Sequence, residues 1–200
     1  MSTQTQTPAA ASLPALPRRA DARRNRERVI AAAAEVFAER GMDAGVPEIA
    51  QRAGVGKATV YRSFPSKEHL VAAVACERLA WITDVTTAAL LREDAGAAFG
   101  DVVVAIAEQQ ASDCAVAGAL AAAIDLPELH AARATTQAAL GALVDRGRAT
   151  GELRHDATAE ELRVLFTGMS QVLRADGVRD AATWRRYGRL VADALRDPRR

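Results

Sequence analysis

Apolar positions along the 200-residue chain recur at intervals of three and four, and runs that alternate with period two are scarce, so the pattern predicts helices throughout. Val29, Ile30, Ala33, Val36 and Phe37 make one buried stripe that stops at Gly41. The stretch from Gly45 to Leu70, GVPEIAQRAGVGKATVYRSFPSKEHL, then packs two short helices and a tight turn into very few residues. Gly45 is an acceptable N-cap, Pro47 fits a first helical turn, and Gly54 can take the left-handed backbone of a sharp turn. Ile49 and Ala50 share a face against which Val55 and Val60 are spaced to bury. After Pro65, Ser66 is placed to cap a long helix through Leu70, Val71, Val74, Leu79, Trp81, Ile82 and Val85 to about Leu91. Gly96, Gly118 and Pro127 divide residues 96–150 into helices near 98–111, 115–124 and 128–148. After a turn at Gly151 to Asp156, Thr158 and Glu161 have the capping-box spacing that starts the next helix. The last helix begins near Asp180. The fold class is all-α.

Two short helices around a glycine turn, with basic and hydroxyl side chains on the second, read as a helix-turn-helix. In that device the second helix lies in the major groove, where short and basic side chains at its N-terminal end reach base edges and phosphates. The expected DNA-binding residues here are Gly56, Lys57, Ala58, Thr59, Tyr61, Arg62 and Lys67. Both lysines of the chain, Lys57 and Lys67, fall in this stretch. Lys67 opposes the dipole of the helix it opens, at a cost of a few tenths of a kcal/mol to about 1, and a phosphate contact is a reason to tolerate it. Upstream, Arg18, Arg19, Arg23, Arg24, Arg26 and Arg28 face only Asp21 and Glu27. That density suggests a mobile arm and helix start lying along phosphates or in the minor groove, which adds Arg23, Arg24 and Arg28 to the DNA-binding set; a solvated helix face is the alternative.

The ordered run of small, apolar and aromatic positions from RERVIAAAAEVFAERG (Arg26 to Gly41) through IAQRAGVGKATVYRSFPSKEHL resembles the TetR family of bacterial regulators. The resemblance implies that Tyr61 and Lys67 occupy the family's phosphate-contacting tyrosine and lysine positions. It also implies that the last two long helices pair with those of a second chain into a four-helix bundle, where Gly168 would permit close approach. The interface residues expected on that basis are Leu162, Leu165, Phe166, Met169, Leu173, Trp184, Tyr187 and Val191; a buried packing face within the chain is the alternative. The chain departs from the family's usual pattern at Gly56, where serine is common, and at Gly45, Val46 and Pro47, where a threonine or serine often caps the motif's first helix.

Composition adds limits. Hydrophobic residues make up 50% of the chain and aromatic ones only 4%, with alanine, the strongest helix former, abundant. The formal net charge of +1 hides an asymmetry, because residues 1–75 carry eleven Lys or Arg against seven Asp or Glu, leaving a net −3 for the remainder. The basic side is therefore the side with the motif. Met1 to Pro17 is polar and rich in alanine and proline, and a disordered tail is expected over 1–20. No apolar run approaches the roughly 18 to 20 residues of a membrane span, so a cytoplasmic location is expected, without membrane association. Cys76 and Cys114 form no CxxC pair, which fits reduced thiols better than a disulfide framework; a redox sensor is the lesser possibility.

Enzyme readings fail on spacing, and no cofactor or metal is expected. GVGKAT (Gly54 to Thr59) is no phosphate loop, since GxxxxGK[ST] needs glycine where Gln51 stands and Ser or Thr where Ala58 stands. His69, His130 and His155 show no HExxH spacing, and there is no GxSxG elbow.

The expected organisation is the tail at 1–20, a DNA-binding domain at 21–70, and a helical effector-binding and dimerisation domain at 71–197. In the last, Trp81, Gln110, Cys114 and Thr136 are candidates to line a mainly apolar ligand pocket with a few orienting polar groups. The reading is a homodimeric regulator of transcription, a repressor that leaves a palindromic double-stranded operator when an unknown small-molecule effector binds. The alternative from another class is a helical protein-interaction module whose helix-turn-helix no longer binds DNA. A ligand-independent architectural DNA binder is disfavoured by the size of the apolar second part.

Overall fold

The computed structural model describes residues 18–41, 43–112 and 124–198. The described residues form eight helices: α1 (Arg18–Arg40), α2 (Val46–Ala53), α3 (Lys57–Ser63), α4 (Lys67–Ala89), α5 (Ala95–Ser112), α6 (Pro127–Ala149), α7 (Ala159–Ala175) and α8 (Ala181–Ala194). The disordered tail expected up to residue 20 is corrected at its end, because Arg18 to Ala20 already belong to α1. The rest of that tail, the helix expected at 115–124 up to residue 123, and Cys114 lie outside the described residues.

Helices α1, α2 and α3 close over one core with the start of α4. Val29, Ile30, Val36 and Phe37 of α1 meet Ile49 and Ala53 of α2, Val60 of α3 and Leu70, Val71 and Val74 of α4. A second core is built by α4 to α8 around Phe99, Val103, Leu143, Val144, Leu153 and Leu195. The helix α4 contributes to both, with Leu70 and Val74 in the first and Ile82 and Ala89 in the second. Its N-terminus is capped by Ser66, whose hydroxyl accepts from the His69 backbone N–H. Thr158 and Glu161 form a complete capping box on α7, and the Asp180 carboxylate accepts from the Thr183 N–H to start α8.

α5 packs along α8 and α4 along α6. The α5–α8 approach is close because Gly188 stands where a Cβ would come within 2.7 Å of the Ala107 Cβ. Gly168, by contrast, has nothing within 4 Å on that side and is exposed on α7. The chain end returns to the α6–α7 turn, where Leu153 and Arg196 form an antiparallel bridge and the Arg154 N–H donates to the Leu195 carbonyl at 2.9 Å.

The fold revises the expected interface. Leu162, Leu173, Trp184 and Val191 are buried within this chain's own cores, and the Trp184 indole N–H donates to the Val178 carbonyl at 2.9 Å. Little of their surface is left outside, so they are not placed to carry a contact with a second copy. Phe166 and Met169 are half-buried against the second core. Leu165 and Tyr187 remain exposed, joined by Val164, Val172 and Leu190.

Candidate nucleic-acid interface and effector cavity

The turn between α2 and α3 is fixed by backbone chemistry. Gly54 has φ +64°, its N–H donates to the Gln51 carbonyl at 3.1 Å, and the Val55 N–H reaches the Ala50 carbonyl at 3.0 Å. These two bonds make a Schellman ending, which satisfies carbonyls that the end of α2 leaves open. Arg28 of α1 adds to it, its guanidinium donating to the Ala53 and Gly54 carbonyls. Arg28, expected in the DNA-binding arm, thus has its charged head on the turn, at the negative end of the α2 dipole.

Gly56 caps α3, whose buried side chain Val60 anchors it to the first core. One anchored face leaves the other outward. Gly56, Lys57, Ala58, Tyr61 and Arg62 are exposed, Thr59 is half-buried, and the Lys57 Nζ lies 5.7 Å from the centre of the Tyr61 ring. Behind α3, Phe64 is buried and carries the Arg26 guanidinium 5.1 Å from its ring centre. Lys67 is the first residue of α4, one loop beyond the outward face. Arg23 and Arg24 are exposed on α1 in ion pairs with Glu27 and Asp21. On the other side of the motif, Arg52 bridges Glu35 and Glu39 at 3.2 and 2.7 Å, which ties α2 to α1 and lowers the Glu39 carboxyl below its ordinary value.

In the second core a cavity of about 420 Å³ opens among α4, α5, α6 and α7. Leu79, Ile82, Ile106, Leu140 and Phe166 give it an apolar wall. Its size falls within the roughly 300 to 1,000 Å³ of small-molecule sites. Of the four candidate pocket residues, Gln110 and Thr136 line it. Trp81 does not and is corrected, its ring instead bearing the Arg78 guanidinium at 4.4 Å. Gln137 lines it as well, and the sequence reading missed Glu160, Arg163 and Thr167, which complete the rim. Their polar character resembles ordinary helix surface until α6 and α7 are set side by side.

Cys76 is half-buried on α4, where its thiol meets the Glu128 carbonyl at 3.7 Å and burial pushes its pKa up, the opposite of an activated thiolate. Among the described residues no group of His, Cys, Asp and Glu is placed to hold a metal, and no helix is long and apolar enough to cross a membrane.

Comparison with known proteins agrees with this geometry. The family described as bacterial regulatory proteins, tetR family, matches residues 29–74, the span from the core face of α1 to α4. None of the curated proteins matches the sequence. Among solved structures, a TetR transcription regulatory protein from Mycobacterium vanbaalenii is 34% identical, with 90% of this chain and all of that one covered and a TM-score of 0.66. A TetR transcriptional regulator from Streptomyces coelicolor is 29% identical over 86% of this chain and 99% of its own, with a TM-score of 0.64. The transcriptional regulator FadR from Bacillus subtilis, solved in complex with stearoyl-CoA, shares the fold at 20% identity, covering 84% of this chain and 98% of its own with a TM-score of 0.66. An outward recognition helix on a three-helix core, joined by one long helix to a hollow helical body, together with 34% identity over nearly the whole chain, settles the matter: the chain belongs to the TetR family of DNA-binding transcriptional regulators.

Proposed function

We propose that this regulator is a homodimeric repressor, cytoplasmic and not an enzyme, that occupies a twofold operator and leaves it when a small molecule enters the cavity. One observation carries the reading: α4 begins at Lys67 beside the recognition helix and gives Leu79 and Ile82 to the cavity wall. A ligand that displaces the wall therefore re-aims the motif. In this reading Lys57, Thr59 and Arg62 with Gly56 and Ala58 enter the major groove, while Tyr61, Lys67, Arg23 and Arg24 contact phosphates.

The second copy docks on the exposed face of α7 and α8. Leu165, Gly168 and Val172 make an outward stripe on α7 at spacings of three and four, and Tyr187 and Leu190 extend it onto α8. Two recognition helices must meet successive major grooves, about 34 to 36 Å apart in the simplest arrangement, so a modest change in their separation is enough to weaken binding.

A footprint of the protein on the DNA upstream of its own gene tests the proposal. A protected site with twofold symmetry, lost on adding a cavity ligand, is the expected result. Absence of protection on any neighbouring promoter would favour a protein-interaction module, and protection indifferent to every bound ligand would remove the release step.

A further inference from the structure

We infer that the cavity takes an uncharged, mainly apolar molecule, and that Glu160 sets this preference by holding Arg163 at the rim. The inference rests on the effector-binding reading and names the ligand class for that site. Its ground is the balance of charge around the cavity. Glu160 and Arg163 are the two charged side chains in the described lining, and they are paired with each other through a side-chain hydrogen bond and ion pair within the first turns of α7.

The positive end of α7 and the neighbouring Arg154 are countered by carboxylates as well. The N-terminal end of α7, which would otherwise favour an anion, has Glu160 and Glu161 in its first turn and a closed capping box with Thr158. Arg154 is bound to Glu161 and Asp156 at 3.1 and 3.0 Å. Arg174 lies outside the lining and reaches it only through a hydrogen bond to the Gln110 carboxamide oxygen at 2.6 Å. The Thr136 hydroxyl is engaged by carbonyls of α4 and α6.

A ligand carboxylate at this rim would meet Arg163 and Glu160 together and gain little net attraction. Deeper in, among Leu79, Ile82, Val103 and Ile106, it would lose its hydration where no lining side chain carries an opposite charge. An alkyl or ring body gains from burial on the same wall, at roughly 25 cal/mol per Å² of apolar surface removed from water. Gln110, Gln137 and Thr167 supply neutral hydrogen-bonding groups for one polar end.

The experiment compares decan-1-ol, decanoate and decylammonium as probes on the full-length dimer, each below its micellar range, by calorimetry and operator titration. Wild type is expected to bind decan-1-ol at least tenfold more tightly than either ion. Glu160→Gln, which leaves Arg163 without its counter-charge, is expected to narrow the gap between decan-1-ol and decanoate by about three- to tenfold. Leu140→Trp, which fills the cavity from α6, is expected to abolish decan-1-ol binding while circular dichroism stays unchanged. Decanoate binding as tightly as decan-1-ol in wild type, no binding of decan-1-ol, an unchanged ratio in Glu160→Gln, or full binding by a folded Leu140→Trp protein would each overturn the inference. The two readings fail separately: decan-1-ol that binds as stated without weakening the operator complex refutes release alone, and decanoate that wins and releases the operator refutes the ligand class alone.

Discussion

The Thr136 hydroxyl on α6 lies 3.0 Å from the Thr83 hydroxyl on α4, and both reach the same Leu79 carbonyl, at 3.1 and 2.9 Å. Thr136 also lies 3.0 Å from the Ala132 carbonyl of its own helix. Two hydroxyl protons are thus shared among the two carbonyls and the two hydroxyl oxygens, and the pair can run in either direction. One side of it faces the cavity through Thr136, while the other belongs to the helix that carries the DNA-binding motif. In the proposed release step, a ligand that takes the Thr136 proton or lone pair would reset the contact between α6 and α4.

Thr83→Val breaks this pair without altering the cavity lining. The expected cost in stability is about 0.5 to 1.5 kcal/mol, that of one hydrogen bond, and operator affinity without ligand should stay within about twofold of wild type. Coupling between ligand and DNA, typically about 1 to 3 kcal/mol or 5- to 150-fold, should fall. Operator titrations with and without decan-1-ol check this; equal coupling in both proteins would take the hydroxyl pair out of the mechanism.

Arg28 and Lys67 should separate in their salt dependence. Removing one lysine–phosphate contact in Lys67→Ala is expected to lower the magnitude of the log–log salt slope of DNA binding by roughly 1, on operator and scrambled DNA alike, with Tyr61→Phe weakening both similarly. Changes at Lys57 or Thr59 should alter base preference instead. Arg28→Ala should leave the slope as it is and lower the melting temperature, because its guanidinium holds the α2–α3 turn. Gly54→Ala should destabilise too, by about 1 to 2 kcal/mol for a left-handed alanine, with a Cβ 2.8 Å from the Arg28 Nη2 adding to the strain. A reduced slope for Arg28→Ala would return that residue to the phosphate contacts.

The motif was legible in the sequence because its determinants are local: Gly54 turns the chain, Ser66 caps α4, and Thr158 with Glu161 caps α7, all through partners within five residues. The direction faced by α7 and α8 was not. Leu162, Leu165, Phe166, Met169, Val172 and Leu173 share one stripe about 120° wide on α7, so the pattern names an apolar face without saying which edge of it this chain covers and which it leaves outside. The structure turns Leu162 and Leu173 inward and leaves Leu165 and Val172 outside. The cavity hides for a related reason. Thr136 meets the Leu79 carbonyl across 57 residues and Arg174 meets Gln110 across 64, and no spacing rule reports such contacts. The contact of Arg28 with the α2–α3 turn was hidden too, since an arginine-rich helix start looks the same whether one of its guanidinium groups faces phosphate or a neighbouring turn.

The α7 cap should be sensitive to acid. The Arg154 guanidinium first, and then the Thr158 N–H, hold the Glu161 carboxyl below its ordinary value of 4.5. A carboxyl lowered in the folded state contributes stability that is fully present above the unfolded value and is lost as pH falls through the folded one. Melting temperature should therefore decline as pH drops below about 4.5. Glu161→Gln keeps a capping side chain at the same position and should flatten the part of the decline due to Glu161. Identical acid limbs in the two proteins would assign the acid sensitivity to other carboxylates.

Leu165 and Leu162, three residues apart on α7, should give opposite results when changed to arginine. Leu165 is 41% exposed and Leu162 5%. An arginine at 165 meets water in the isolated protomer, where surface changes usually cost within about 0.5 kcal/mol, but it faces the other chain if the stripe of Leu165, Gly168 and Val172 is the dimer seam. Leu165→Arg is therefore expected to give a folded monomer by sedimentation and circular dichroism. Operator affinity should fall by about 10²-fold or more, because the second half-site no longer binds as part of the same molecule. Val172→Arg and Leu190→Arg should behave alike. Leu162→Arg places an unpaired charge against the second core, which costs several kcal/mol, and should unfold the domain rather than separate the chains. A Leu165→Arg protein that stays dimeric would move the seam off this face of α7, and one that unfolds would show that the exposed leucine supports the protomer itself.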